Sequence, residues 1–190
     1  MQDICSRLFS LAGPYLTVRH NQRHTEICYE FALRLLRHLG GRPEIVLPAI
    51  ILHDVGWSAV PTEQQLLAFG PKVIDEELRR IHEVEGAKIA AGILQKVSSS
   101  EDDRLEICRI IERHDSRDNP ISLEEKIVKD ADKLFRFSPE GFSIDVERFS
   151  IDARDYWKKL HGFRDQWFFT DLGRELASGE LQKIEKELFN

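Results

Sequence analysis

His53-Asp54 stands at the end of Ile45-Val-Leu-Pro-Ala-Ile-Ile-Leu52, the most apolar stretch of the chain. Burying an ionisable pair there is costly without compensation. The free carbonyls at the end of a helix carry partial negative charge, which makes a lone buried Asp less comfortable still. A bound divalent cation reverses the sign of that problem. Other imidazoles and a carboxylate share the unusual placement. His24 lines up with Ile27, Phe31 and Leu35, His114 with Ile107, Ile110 and Ile111, and Asp132 with Val128 and Phe135, while His82 opens the segment containing Gly86 and Ala90. One histidine on an apolar face is ordinarily a core residue bonded to a backbone carbonyl. Taken jointly, His24, His53, Asp54, His82, His114 and Asp132 point instead to metal ligation. A donor set of imidazole and carboxylate without thiolate suits one or two divalent ions drawn from Mn, Fe, Mg, Co, Ni or Zn.

Two positions have rivals. His20 precedes His24 by one helical turn and an i, i+4 histidine pair can bind a metal by itself, and Asp130 lies two residues before Asp132. Lys88, Arg113, Lys129, Lys133 and Arg136 are the cations nearest the ligand segments, available for a polyanionic substrate. On helices such residues are usually solvated faces. Glu83 and Glu85 beside His82, and Asp115 beside His114, are candidates to orient an imidazole or move a proton, with ordinary helix-end charge as the plainer reading. Trp157, Phe163, Trp167 and Phe168 offer faces for stacking a base, with core packing or a dimer surface as the plainer reading.

The elements that must position these residues read as helices throughout. Ile27, Phe31, Ala32, Leu35, Leu36 and Leu39 recur at helical spacing over Asn21–Leu39, and Gly40-Gly41 supplies a stop. Pro43 opens the next helix, apolar all round and so predicted to be the central one. Gly56 ends it, and the stretch to about Glu77 reads as a loop with a short helix around Gln64–Phe69, interrupted by Gly70 and Pro71. A helix from Asp75 or His82 to Val97 is closed by Ser98-Ser99-Ser100, and another spans Asp102 to Arg113. Ser122 and Glu125 form a capping box for a helix to about Phe137. A loop is predicted around Pro139-Glu-Gly141, then further helices, with Thr170 as a cap. Only Phe142–Phe149 alternates in a strand-like way, and so short a segment without a partner makes no sheet. The fold class is all-α.

With 190 residues, 42% hydrophobic and 32% charged, the chain suits one filled domain and not a disordered tail. A net charge of −6 provides no basic field for an extended nucleic acid. Cys5, Cys28 and Cys108 form no CxxC pair, which disfavours a disulfide framework or zinc ribbon and suggests a reducing, cytoplasmic setting. MQDICSRLFSLAG has no basic n-region with a long apolar stretch, and no apolar run reaches a membrane span, so neither export nor insertion is expected.

His24, the LHDVG of His53-Asp54, and Asp132 in KDADKL resemble the H…HD…D signature of the HD-domain phosphohydrolase superfamily. The resemblance covers about His20 to Phe137, leaving a C-terminal helical extension of about 138–190. It implies a single compact helical domain in which His24, His53, Asp54 and Asp132 bind one metal. In some members two intervening histidines hold a second ion, the place of His82 and His114, with Asp54 bridging. His20-Asn-Gln-Arg-His24 is similar to the HDxxH opening of a nucleotide-cleaving bacterial branch, with Asn21 departing from its Asp. The resemblance implies metal-activated hydrolysis of a phosphomonoester or phosphoanhydride in a small phosphorylated substrate such as a nucleotide, with Asp54 and Lys133 as catalytic residues. A homodimer is compatible with it. The competing readings are a regulatory module that binds metal and nucleotide without turnover, and a structural helical protein with core histidines.

Overall fold

Local capping chemistry sets most of the helix boundaries. The computed structural model describes residues 2–18, 20–68, 75–97 and 99–188, the backbone alone for 66–68, and among these the regular structure is entirely helical. In chain order the helices are α1 (Gln2–Ala12), α2 (Asn21–Leu39), α3 (Pro43–Leu52), α4 (Thr62–Ala68), α5 (Glu76–Leu94), α6 (Glu101–Ile111), α7 (Leu123–Phe137), α8 (Pro139–Phe149), α9 (Ala153–Trp167) and α10 (Asp171–Leu188). Short 3-10 segments cover Gly13–Tyr15 and Val55–Ala59. Asp75, Ser100, Ser122, Ser138 and Asp152 each accept a backbone N–H from the first turn of the helix they precede, the role for which short polar side chains are favoured.

The predicted capping box is half realised. Ser122 Oγ accepts from Glu125 N at 3.1 Å, but the Glu125 carboxylate accepts from Ile121 N at 2.9 Å and from Arg117. Thr170 caps as expected, its Oγ1 accepting from Gly173 N at 2.9 Å. Gly40 and Gly41 stop α2 with φ of 75° and 96°, a left-handed backbone that side chains disfavour. The loop expected at Pro139-Glu-Gly141 is instead the first turn of α8, with Ser138 as N-cap and Pro139 at the first helical position, where a missing N–H costs nothing. The strand-like alternation of Phe142–Phe149 lies on that same helix. Phe69, Gly70 and Pro71 of the predicted excursion, and Ser98 of the serine stop, lie outside the described residues.

α3 is the axis of the molecule. Every residue from Ile45 to Leu52 is buried, and α1, α2, α6 and α7 pack around it. The main apolar core runs from Cys5 to Ile184, with a small second cluster at Trp57 and Val60, and the chain forms one domain with α10 folded back over α7, α8 and α9. Cys5, Cys28 and Cys108 are free thiols. Among the described residues no helix is long and apolar enough to cross a membrane.

One close approach ties the 3-10 segment after α3 to α5. A Cβ on Gly56 would lie 1.8 Å from the carbonyl oxygen of His82 and 2.5 Å from Gly86 N, both backbone atoms with no side-chain freedom to yield. Gly56→Ala is therefore expected to destabilise the protein by at least the roughly 1–3 kcal/mol typical of overpacking, as read from urea unfolding; a midpoint equal to wild type would contradict this packing.

Candidate metal centre

The site is built where helix ends meet. His53 follows the last residue of α3, and its Nδ1 lies 2.7 Å from Ile50 O; His114 follows the end of α6, with Nδ1 2.7 Å from Ile111 O. Each carbonyl belongs to a last turn that lacks intrahelical partners. In the neutral ring the contact places the proton on Nδ1 and turns Nε2 inward, where it takes up a second proton or an ion. His24 comes from the first turns of α2, His82 from the interior of α5 and Asp132 from α7.

These donors converge. His24 Nε2 lies 3.0 Å from His53 Nε2, 3.2 Å from Asp132 Oδ1 and 3.4 Å from Asp54 Oδ2. His53 Nε2 is 3.5 Å from Asp132 Oδ1, and Asp54 Oδ1 is 3.7 Å from His114 Nε2. His82 Nε2 lies 3.3 Å from His114 Nε2 and 3.5 Å from Asp115 Oδ2. Three overlapping groups have the compactness of a metal-binding set: His24, Cys28, His53 and Asp132; His53, Asp54 and His114; and His82, His114 and Asp115. Asp54 and the inward edges of His53 and His114 join the first group to the last.

The residues fit divalent ions. Two imidazoles each presenting a lone pair at about 3 Å repel unless a proton or cation lies between them, and donor atoms this close are spaced to share an ion at bond lengths of about 2.0–2.2 Å. His82 Nδ1 is buried without a hydrogen-bond partner; its ring is held by stacking on Trp57 at 3.9 Å and 8°, and the Trp57 indole N–H donates to Asp54 Oδ1 at 3.0 Å.

Titration follows the packing. Burial raises the Asp54 carboxyl, but His53, His114 and His24 outweigh it and hold it well below the usual range. Burial acts likewise on Asp132, which hydrogen bonds from His24 and His53 pull well down. Burial opposes charge on His114, yet Asp115, Asp54 and Glu83 push it up to about 10. Burial and the neighbouring His114 bring His82 down to about 4.

The structure separates the sequence rivals. Asp130 turns away from the cluster and is fully buried, accepting from Phe169 N at 2.8 Å, Thr170 N at 3.0 Å and Thr170 Oγ1 at 2.6 Å. It anchors the start of α10. His20 sits exposed before α2 with φ 58°, outside all three donor groups. Lys133 is not brought to the cavity: its Nζ donates to Trp167 O at 2.8 Å and lies over the Phe169 ring. Lys129 is buried and bonds the carbonyls of Arg113 and His114, while Lys88 pairs with Glu85 on the surface. Arg136 alone of the expected cations lines the cavity. Glu83 is fully buried and accepts from Asp115 N at 2.9 Å and Ser116 N at 2.8 Å, so it positions the turn bearing His114. The aromatic cluster is packing: Phe163 and Trp167 stack at 4.4 Å, Phe168 lies 5.1 Å from Phe137, and Trp157 donates to Leu181 O.

Sequence reasoning missed two groups and named a third, Asp115, only as a candidate to orient an imidazole or move a proton. Cys28 Sγ is 3.5 Å from His24 Nε2, and its signal was the i, i+4 spacing from His24. Asp115 belongs to the His82–His114 group and not merely to a helix end. Arg148 lines the cavity with no motif to mark it.

A family model of the HD domain matches residues 22–136, more than half of the chain, and the chain belongs to this family within the metal-dependent phosphohydrolase superfamily. No curated protein and no solved structure matches it.

The placements separate the two aspartates by experiment. Asp132→Ala should abolish metal retention in purified protein, as should His53→Ala or Asp54→Ala, with helicity largely intact. Asp130→Ala should keep its metal and lose about 1–3 kcal/mol of stability from the orphaned donors. The reverse pattern by elemental analysis would reject the assignment. Because His114 is raised to about 10, it carries a proton near neutral pH that an ion must displace. Metal retained after dialysis should therefore fall as pH drops from about 8 to 5.5; loading that is flat across that window would show that His114 is not a ligand.

Proposed function

We propose that the protein is a metal-dependent hydrolase of a phosphomonoester or phosphoanhydride bond in a nucleotide or related small molecule. The carrying observation is the convergence of His24, His53, Asp54 and Asp132 with His82, His114 and Asp115 beside one cavity. His24, His53, Asp54 and Asp132 would hold one ion, and His82, His114 and Asp115 a second, with Asp54 placed between them. When bound, such ions supply Lewis acidity that acidifies water towards neutral pH and draws charge from phosphoryl oxygens.

The chain's own residues do the positioning. The carbonyls of Ile50 and Ile111 orient the imidazoles of His53 and His114. The Trp57 indole donates to Asp54 Oδ1, leaving its Oδ2 towards His24. Asp115, the least buried carboxylate of the cluster at 32% side-chain exposure, is the group best placed to exchange a proton with water at the mouth. No extended nucleic acid and no membrane is invoked as partner, and a reducing cytoplasmic setting suits the three free thiols.

Gently purified protein should carry one or two equivalents of divalent metal by elemental analysis. It should release phosphate or pyrophosphate from some member of a nucleotide and phosphoester panel supplemented with Mn, Fe, Mg, Co or Ni. Chelation should lower the melting temperature, since an ion that binds only the folded state stabilises it by mass action. Stoichiometric metal without turnover of any ester would favour a regulatory binding module, and no metal under any loading would sink the proposal.

A further inference from the structure

We propose that Asn21, Arg136 and Arg148 form a phosphoryl-binding cradle on the wall of the metal cavity, taking the terminal phosphoryl group of a monoester or anhydride. This rests on the hydrolase reading above and adds to it how the substrate is gripped.

All three residues line the same cavity as His24, Asp54 and Asp132. Asn21 is 2% exposed and its Nδ2 is a buried donor with no hydrogen-bond partner. An unsatisfied buried donor is costly, and this one belongs to a residue of the cavity wall. The two guanidiniums are fixed from behind by one carboxylate. Asp145, fully buried, accepts from Arg136 at 2.7 Å, from Arg148 at 3.3 Å and from the Tyr156 hydroxyl at 2.9 Å. Arg136 and Arg148 are themselves only 25% and 12% exposed. Guanidiniums stay charged at any working pH, and their planar fork matches phosphoryl oxygens.

The lining thus combines imidazoles and carboxylates, suited to cations, with two guanidiniums and an amide donor, suited to an anion. The cavity volume of about 40 Å³ admits a few water-sized groups at roughly 10–15 Å³ each. That is room for phosphoryl oxygens.

The test is isothermal titration calorimetry of inorganic phosphate into the Mn²⁺-loaded full chain at constant ionic strength, with metal content measured on each sample. Asn21→Ala removes the donor and places a strong helix former at the start of α2, so it should fold. Arg148→Gln leaves Arg136 to neutralise Asp145. Each is expected to weaken phosphate binding by about 10- to 100-fold, the loss of a charge-assisted hydrogen bond, with metal content unchanged. Arg148→Lys, which keeps the charge without the fork, should fall between. Wild-type phosphate affinity in both Asn21→Ala and Arg148→Gln overturns the cradle, as does a metal-loaded wild type that binds no phosphate. If phosphate binds and the variants lose it, the cradle stands even where no ester is turned over, and that result would fail only the hydrolase reading.

Discussion

Several imidazoles and carboxylates share the interior of this helical domain at separations near 3.0–3.7 Å, and such groups are stable together only when positive charge is distributed among them. Much of the surrounding architecture serves that constraint. The same device is used twice: a helix ends in buried apolar residues, and the histidine beyond it turns its Nδ1 onto the carbonyl three residues back, Ile50 for His53 and Ile111 for His114. The unsatisfied carbonyls of two helix ends thereby become the parts that fix two imidazoles. The end of the most apolar helix is a costly place for a charged pair, and it is also the place where a carbonyl is free to orient one.

His82 is held differently. It lies inside α5, its Nδ1 has no partner, and stacking on Trp57 fixes the plane of the ring without fixing its protons. The His82–His114 side of the cluster depends instead on the turn after α6. That turn is gripped from both directions: Lys129 donates to the carbonyls of Arg113 and His114, and Glu83 accepts from the amides of Asp115 and Ser116. A buried cation and a buried anion, from α7 and α5, thus set the height at which His114 and Asp115 meet the cavity.

The helical frame was largely legible, because periodicity and caps are local. Asn21–Leu39, the opening at Pro43 and the cap at Ser122 follow from neighbouring residues alone. The start of α8 was misread although Ser138 and Pro139 carried the signal, since Pro139-Glu-Gly141 is equally good turn chemistry. The choice between Asp130 and Asp132 was not legible, for what decides it comes from Phe169, Thr170 and Gly173, some forty residues away. Cys28 and Asp115 were readable as neighbours of His24 and His114, but spacing alone cannot show whether a neighbour turns inward. Arg148 had no local signal at all; only the fold carries α8 to the cavity.

Helix α7 shows why residue type and face together assign the roles. At about 100° per residue, Asp132 and Arg136 are one turn apart on one face, and both line the cavity. Lys129 and Lys133 are likewise one turn apart, on a neighbouring face, and both are committed to backbone carbonyls, at His114 and at Trp167. Asp130 points to a third face and is committed to α10. The compact ammonium groups of the lysines suit single carbonyl acceptors in tight turns. The planar fork of Arg136 can be anchored by Asp145 on one edge and still present a face to the cavity. An exchange of Arg136 with either lysine would preserve the net charge of α7 and lose this division, because the cavity needs a cation that is held rigidly from behind and the turns do not.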